Sequence, residues 1–179
     1  ARLATLVSIQ GDLEQAEHDL RFALFMYTTQ GVSKELNNAL RNKEQRVAQF
    51  EAFLPLHYHL MTALATLPEV AREVYCGFPS TFDVTGYTKD KDLVIWNGFS
   101  STTVTPQIAK NFAGKGGTIF KINAKTAKDI QEYSCSQTEG ELLLTPNIRF
   151  VVTRDLYVPT HGPLQGCNCI DMVERRSGG

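Results

Sequence analysis

The stretch Ser136-Gln137-Thr138-Glu139-Gly140-Glu141-Leu142-Leu143-Leu144-Thr145-Pro146 sets two carboxylates two residues apart, directly before an apolar run closed by proline. In an extended strand, side chains at i and i+2 leave the same face roughly 6.5–7 Å apart, so Glu139 and Glu141 are expected to share one space. Two like charges that close are costly unless something cationic uses them. The pair therefore reads either as a site for general-base work or for stabilising developing positive charge, or as a solvated strand end with no chemistry.

Outward from this run the chain divides by pattern. Before it, Leu13, Ala16, Leu20, Ala23 and Leu24 recur at spacings of three and four and predict an amphipathic helix over Asp12–Tyr27. Ser33 is placed to cap a second helix with Leu36, Ala39, Leu40, Val47 and Phe50 on one face, and Pro55 to open a third that closes near Pro68. Beyond Arg72 the pattern changes to short β-prone runs: Glu73–Gly77, Leu93–Trp96 and Thr118–Ile122, then an alternating last strand from Phe150 to Val158. Thr105 and Pro106 fit the N-cap and first position of a short helix stopped at Gly114. Helices first and non-alternating strands afterwards predict an α+β fold: a single domain, helical over 1–70, β-rich over 71–160, with a tail from 161 to 179.

Bulk properties narrow the function classes. The 179 residues suit one domain, and 42% hydrophobic with 21% charged residues is ordinary for a globular chain. A net charge of -1 carries no broad basic footprint, so no nucleic-acid partner is expected. No apolar run approaches the roughly 18 residues of a membrane span. Cys76, Cys135, Cys167 and Cys169 force no disulfide framework, which favours a reducing compartment, although a secreted protein with a trimmed signal fits as well.

Other motifs read as structure. Gly114-Lys115-Gly116-Gly117 lacks the features of a phosphate loop and reads as a turn. His57 and His59 diverge on a helix. Cys167-Asn168-Cys169 with His161 upstream is tighter than the usual zinc spacing, and no metal is expected.

Three elements in order alter the reading of the glutamates: Tyr75-Cys76-Gly77, then Phe99-Ser100-Ser101-Thr102-Thr103, then Glu139-Gly140-Glu141 followed by leucines. Together they resemble the Arg-Ser-Glu class of mono-ADP-ribosyltransferases, whose motifs are Tyr-Arg-Gly, Phe-x-Ser-Thr-Ser and Glu-x-Glu. Tyr27-Thr28-Thr29 and Leu36–Arg41 are similar to the stretch before the catalytic core in the eukaryotic-type arginine-specific branch.

The resemblance implies two antiparallel sheets around an NAD cleft, with NAD as co-substrate and a protein arginine as acceptor. Glu141 then corresponds to the catalytic glutamate that holds the ribose and stabilises the cation formed as nicotinamide leaves. Ser101 would orient it, and Thr103 replaces the second serine. Glu139 would face the acceptor guanidinium, and Glu132–Thr138 would lie against the acceptor protein. Cys76, Gly77, Ser101, Thr102 and Phe112 are the expected NAD contacts. Cys76 departs from the family arginine, and a thiol cannot replace that always-charged phosphate contact. A phosphate contact from Arg72 or Lys121, an NAD glycohydrolase and an inactive binding module all follow as alternatives.

Overall fold

In a computed structural model, the structure describes residues 2–29, 31–42, 47–134 and 140–176. It has two compact units, one made of the first 67 residues with Tyr133, the other of Pro68–Glu132 and the C-terminal chain.

The helical unit contains α1 (Arg2–Thr28), α2 (Val32–Arg41) and α3 (Val47–Thr66). Its buried side chains recur at helical spacing: Ala23, Leu24 and Tyr27 on α1, Leu36, Ala39 and Leu40 on α2, and Leu60, Ala63 and Leu64 on α3. The Tyr27 hydroxyl, buried among them, accepts a hydrogen bond from Asn37 Nδ2 at 3.3 Å.

Three sequence expectations change here. Helix α1 begins at Arg2, ten residues before Asp12, because nothing stronger than Gly11 interrupts it, and one glycine costs a helix only about 1 kcal/mol. Ser33 is not the cap of α2; Gly31, at φ 101, occupies that position, and α2 ends at Arg41, so Val47 and Phe50 belong to α3. Pro55 lies inside α3 on its exposed side, where tertiary packing of Leu60 and Leu64 outweighs a lost backbone bond worth roughly 3 kcal/mol.

The second unit is a seven-stranded sheet in the order β1-β3-β5-β4-β7-β6-β2, with β1 also paired to β4. The strands are β1 (Glu69–Phe78), β2 (Val94–Trp96), β3 (Ser100–Thr103), β4 (Thr118–Asp129), β5 (Glu141–Leu144), β6 (Ile148–Tyr157) and β7 (Asn168–Arg175), with α4 (Pro106–Ala113) between β3 and β4. This is the α+β arrangement expected. Every ladder is antiparallel except β4–β7, and the long β4 joins the set, pairing with β1 along almost its whole length, with β7 over its first half and with β5 at its end.

Strand β7 corrects the expectation of a tail from residue 161. Cys169, Ile170 and Met172 are almost fully buried, and β7 is hydrogen-bonded between β4 and β6. Its apolar residues sit beside Asp171, Glu174 and Arg175, which hid the strand from a hydropathy reading.

The main core lies on one face of this sheet, where Val74, Phe120, Ile122, Leu142, Leu144, Phe150, Val152, Ile170 and Met172 meet. Trp96 joins it, donating Nε1–H to the Tyr87 hydroxyl at 2.9 Å. On the other face α4 lies against β1 so closely that a Cβ built on Gly77 would stand 2.1 Å from the Ala109 carbonyl oxygen. Glycine is required at 77 by this backbone-on-backbone approach.

Candidate active site

Strands β1, β3 and β5 build the site. Thr103 on β3 is the direct partner of Glu141 on β5 and of Tyr75 on β1. Directly paired residues in an antiparallel ladder project to the same face, so Tyr75, Thr103 and Glu141 form one row across three strands. Two residues along β3 from Thr103, Ser101 leaves the sheet on that same face. The alternate residues, Leu142 and Leu144, point into the core and fix the register: a one-residue slip would drive Glu141 into it.

Above the row sits α4. The result is a pocket of about 120 Å3 lined by Tyr75, Cys76, Gly77, Ser101, Thr102, Thr103, Ile108, Ala109, Phe112 and Glu141. That volume suits one aromatic ring, well below the 300–1,000 Å3 of sites for larger ligands. Phe112 is 62% exposed and stands at the rim, an unusual position for phenylalanine unless a planar partner covers it. Glu141 is 8% exposed, and the described residues around it in the lining are apolar side chains, hydroxyls and a thiol. A carboxylate buried in a mostly apolar pocket interacts strongly with positive charge developing beside it.

The hydroxyls divide by direction. Thr102 Oγ1 donates to the Leu142 carbonyl at 2.6 Å, so this hydroxyl is spent on the β3–β5 ladder. Thr103 Oγ1 accepts the Thr105 amide at 3.1 Å, which anchors the turn into α4; the Thr105 side chain makes no capping bond. Ser101, exposed on β3, also lines the pocket. The structure thus gathers Ser101, Thr103, Phe112 and Glu141 around one space, and sets Thr103 opposite Glu141, with Ser101 one step along.

Glu139 lies outside the described residues, as does the loop 135–138. The extended run begins at Glu141, because Gly140 has a left-handed backbone with φ 56.

Cys76 is 9% exposed and packs with Val74 and Phe120, and its thiol donates to the Ser101 carbonyl at 3.4 Å. It supplies no charge. Of the alternative cations, Lys121 is the cross-strand partner of Tyr75, but its ammonium is 3.0 Å from the Glu73 carboxylate. It lines a separate cleft of about 450 Å3 on the far side of Tyr75, together with Arg154. Arg72 is exposed on β1 and absent from the pocket lining.

Tyr75 belongs to the site without having been singled out, although it heads the Tyr75-Cys76-Gly77 triplet. Its hydroxyl donates to Glu73. Burial, and then the Glu73 carboxylate, push its phenol well above the ordinary range, so it remains protonated. Burial alone would raise the Glu73 carboxyl, but the Tyr75 hydroxyl and Lys121 outweigh it and hold the acid below its usual value. Ile108 and Ala109 also line the pocket, and only the tertiary placement of α4 reveals this.

Comparison with known proteins agrees with this construction. Residues 12–160 match the model of the NAD:arginine ADP-ribosyltransferase family. The chain belongs to that family. The T-cell ecto-ADP-ribosyltransferase 2 of Mus musculus is 28% identical to this ADP-ribosyltransferase-family chain over 130 residues, which are 71% of the chain and 43% of the mouse protein. The chain thus spans less than half the length of that relative. Among solved structures, a variant of the eukaryotic mono-ADP-ribosyltransferase ART2.2 in complex with NADH superposes with a TM-score of 0.74 at 23% identity, covering 93% of this chain and 70% of the other. Vis toxin, an ADP-ribosyltransferase from Vibrio splendidus, gives 0.67 at 18% identity over 88% of this chain and 73% of its own. At these identities the likeness establishes the α+β fold shared across the family.

Proposed function

We propose that this chain is a mono-ADP-ribosyltransferase that uses NAD as co-substrate, releases nicotinamide and passes ADP-ribose to arginine side chains of an acceptor protein. The observation that carries the reading is the buried Glu141 carboxylate, directly paired with Thr103 in a ring-sized pocket beneath α4.

The residues present fit the nicotinamide end of NAD: a narrow pocket, an exposed Phe112 at its rim for stacking, and backbone of the Cys76–Gly77 strand along one wall. NAD, when bound, supplies the bond between ribose and a positively charged leaving ring. Glu141 holds the ribose hydroxyl and offsets positive charge as that bond lengthens. Thr103 and Ser101 orient Glu141, and the apolar walls of Ile108 and Phe112 keep water from the reacting carbon. Glu139 accepts the guanidinium of the acceptor, a planar cation matched to a carboxylate. The mouse relative's name, an ecto-ADP-ribosyltransferase, and the NADH complex of ART2.2 support this reading.

The test is mass spectrometry of an arginine-rich acceptor incubated with NAD. Arginine-linked ADP-ribose should form, and Glu139→Gln should abolish it while leaving NAD consumption largely intact. Equal loss of both activities would contradict the role given to Glu139, and NAD consumption by wild type with no modified arginine would indicate a glycohydrolase.

One observation favours a second reading, an impaired enzyme or a binding module. With Cys76 turned to the core and bonded to Ser101, position 76 makes no charged phosphate contact.

A further inference from the structure

On β6 and β7, Arg149 and Arg175 are direct cross-strand partners. Paired residues in an antiparallel ladder put their side chains side by side on one face, and like charges in that position destabilise the sheet. Both arginines are exposed, and neither has a carboxylate within bridging distance among the described residues. On its other side Arg149 faces Ile95 of β2, which offers no compensation.

The two arginines line a groove of about 350 Å3 with Arg176, Thr145, Asn147 and Thr126. Its two acids are already engaged. Glu69 pairs with Arg176 at 2.9 Å. Glu174, 2% exposed, accepts the Lys125 and Thr126 amides and the Thr126 hydroxyl, the last at 2.6 Å. What remains is a pair of arginines on neighbouring strands, with no carboxylate partner among the described residues, beside the neutral polar side chains of Thr145 and Asn147.

We propose that this groove is a binding site for a phosphate group, gripped between the forks of Arg149 and Arg175. A guanidinium presents parallel N–H donors to phosphate oxygens, and a doubly charged anion turns the repulsion between two neighbouring arginines into two attractive contacts. The inference stands on the sheet register and charge of β6 and β7, apart from the transferase reading of Glu141. The phosphate belongs either to a free ion or to a lipid headgroup, which present the same oxygens.

The test follows thermal unfolding of the full chain, as wild type and as Arg149→Gln/Arg175→Gln, in inorganic phosphate and in chloride at matched ionic strength. In parallel, both proteins are sedimented with phosphatidylcholine vesicles with and without phosphatidic acid. A saturable rise in Tm specific to phosphate, with half-saturation at least about tenfold weaker in the double variant, supports the site, since ligand bound only to the folded state raises stability by mass action. Capture by phosphatidic acid vesicles alone, lost in the double variant, supports it with a lipid as the source. In the absence of phosphate the double variant should unfold at or above the wild-type temperature, which also shows that it folds. Equal shifts in chloride, equal shifts in the double variant, or silence in both arms would overturn the proposal.

Discussion

Thr103 and Glu141 face each other directly across the β3–β5 ladder, in the same row as Tyr75. Their Cβ atoms are about 5 Å apart in such a pair, within reach of a hydroxyl–carboxylate hydrogen bond. In the proposed mechanism Thr103, and not Ser101 alone, orients Glu141. Thr103→Val should lower kcat for nicotinamide release about tenfold to a hundredfold, the worth of one hydrogen bond to a charged group, with little change in KM. Thr103→Ser should retain most of the rate. Equal losses in both variants would show that shape, and not the hydroxyl, matters at this position.

Gly77 is held against α4. An added methyl would meet the Ala109 carbonyl oxygen at 2.1 Å and the Ala113 amide nitrogen at 2.8 Å, both backbone atoms that cannot turn aside. Gly77→Ala should cost about 1–3 kcal/mol, read as a lower urea midpoint, and should widen the Glu141 pocket as α4 shifts. An unchanged midpoint would contradict the close packing of α4 on β1.

Cys76 carries the largest expected effect on NAD affinity. Cys76→Arg restores a charge-assisted phosphate contact worth about 1.5–3 kcal/mol, a roughly ten- to hundredfold gain in affinity by calorimetric titration. The arginine must turn outward past Ser101, because the thiol it replaces packs with Val74 and Phe120. A folded Cys76→Arg protein with no tighter binding would remove position 76 from the NAD contacts.

The pairing of Glu73 with the Tyr75 hydroxyl and Lys121 predicts a pH dependence. A carboxyl depressed in the folded state contributes stability that is present above its ordinary value of 4.5 and is lost as pH falls through the lowered value. Tm measured from neutral pH downward should therefore fall less steeply below pH 4.5 in Glu73→Gln than in wild type. Parallel curves would show that Glu73 makes no net contribution.

The sequence was most legible where local pattern and tertiary structure agree. Periodicity found α2 but ran it on into the start of α3, the Thr105-Pro106 and Gly114 signals placed α4, alternation placed β6, and the order of the three motifs brought Ser101, Thr103 and Glu141 into one site. Pro55 and β7 were missed for one physical reason: tertiary burial of Leu60 and Leu64, and of Cys169, Ile170 and Met172, overrides what proline or interspersed charge suggests locally. Tyr75 and Ile108 joined the site through strand register and helix docking, relations between segments distant in the chain. Thr102 shows the converse: its motif position suggested a ligand contact, but its hydroxyl is committed to the Leu142 carbonyl.

The most direct measurement is nicotinamide release from NAD by wild type and Glu141→Ala, quantified by mass spectrometry on folded protein. Wild type should release nicotinamide at a measurable rate, and Glu141→Ala should lose at least about a hundredfold of it, as expected for removing the group that stabilises charge in the transition state. Release by Glu141→Ala at the wild-type rate would contradict the assignment of this carboxylate as the catalytic group.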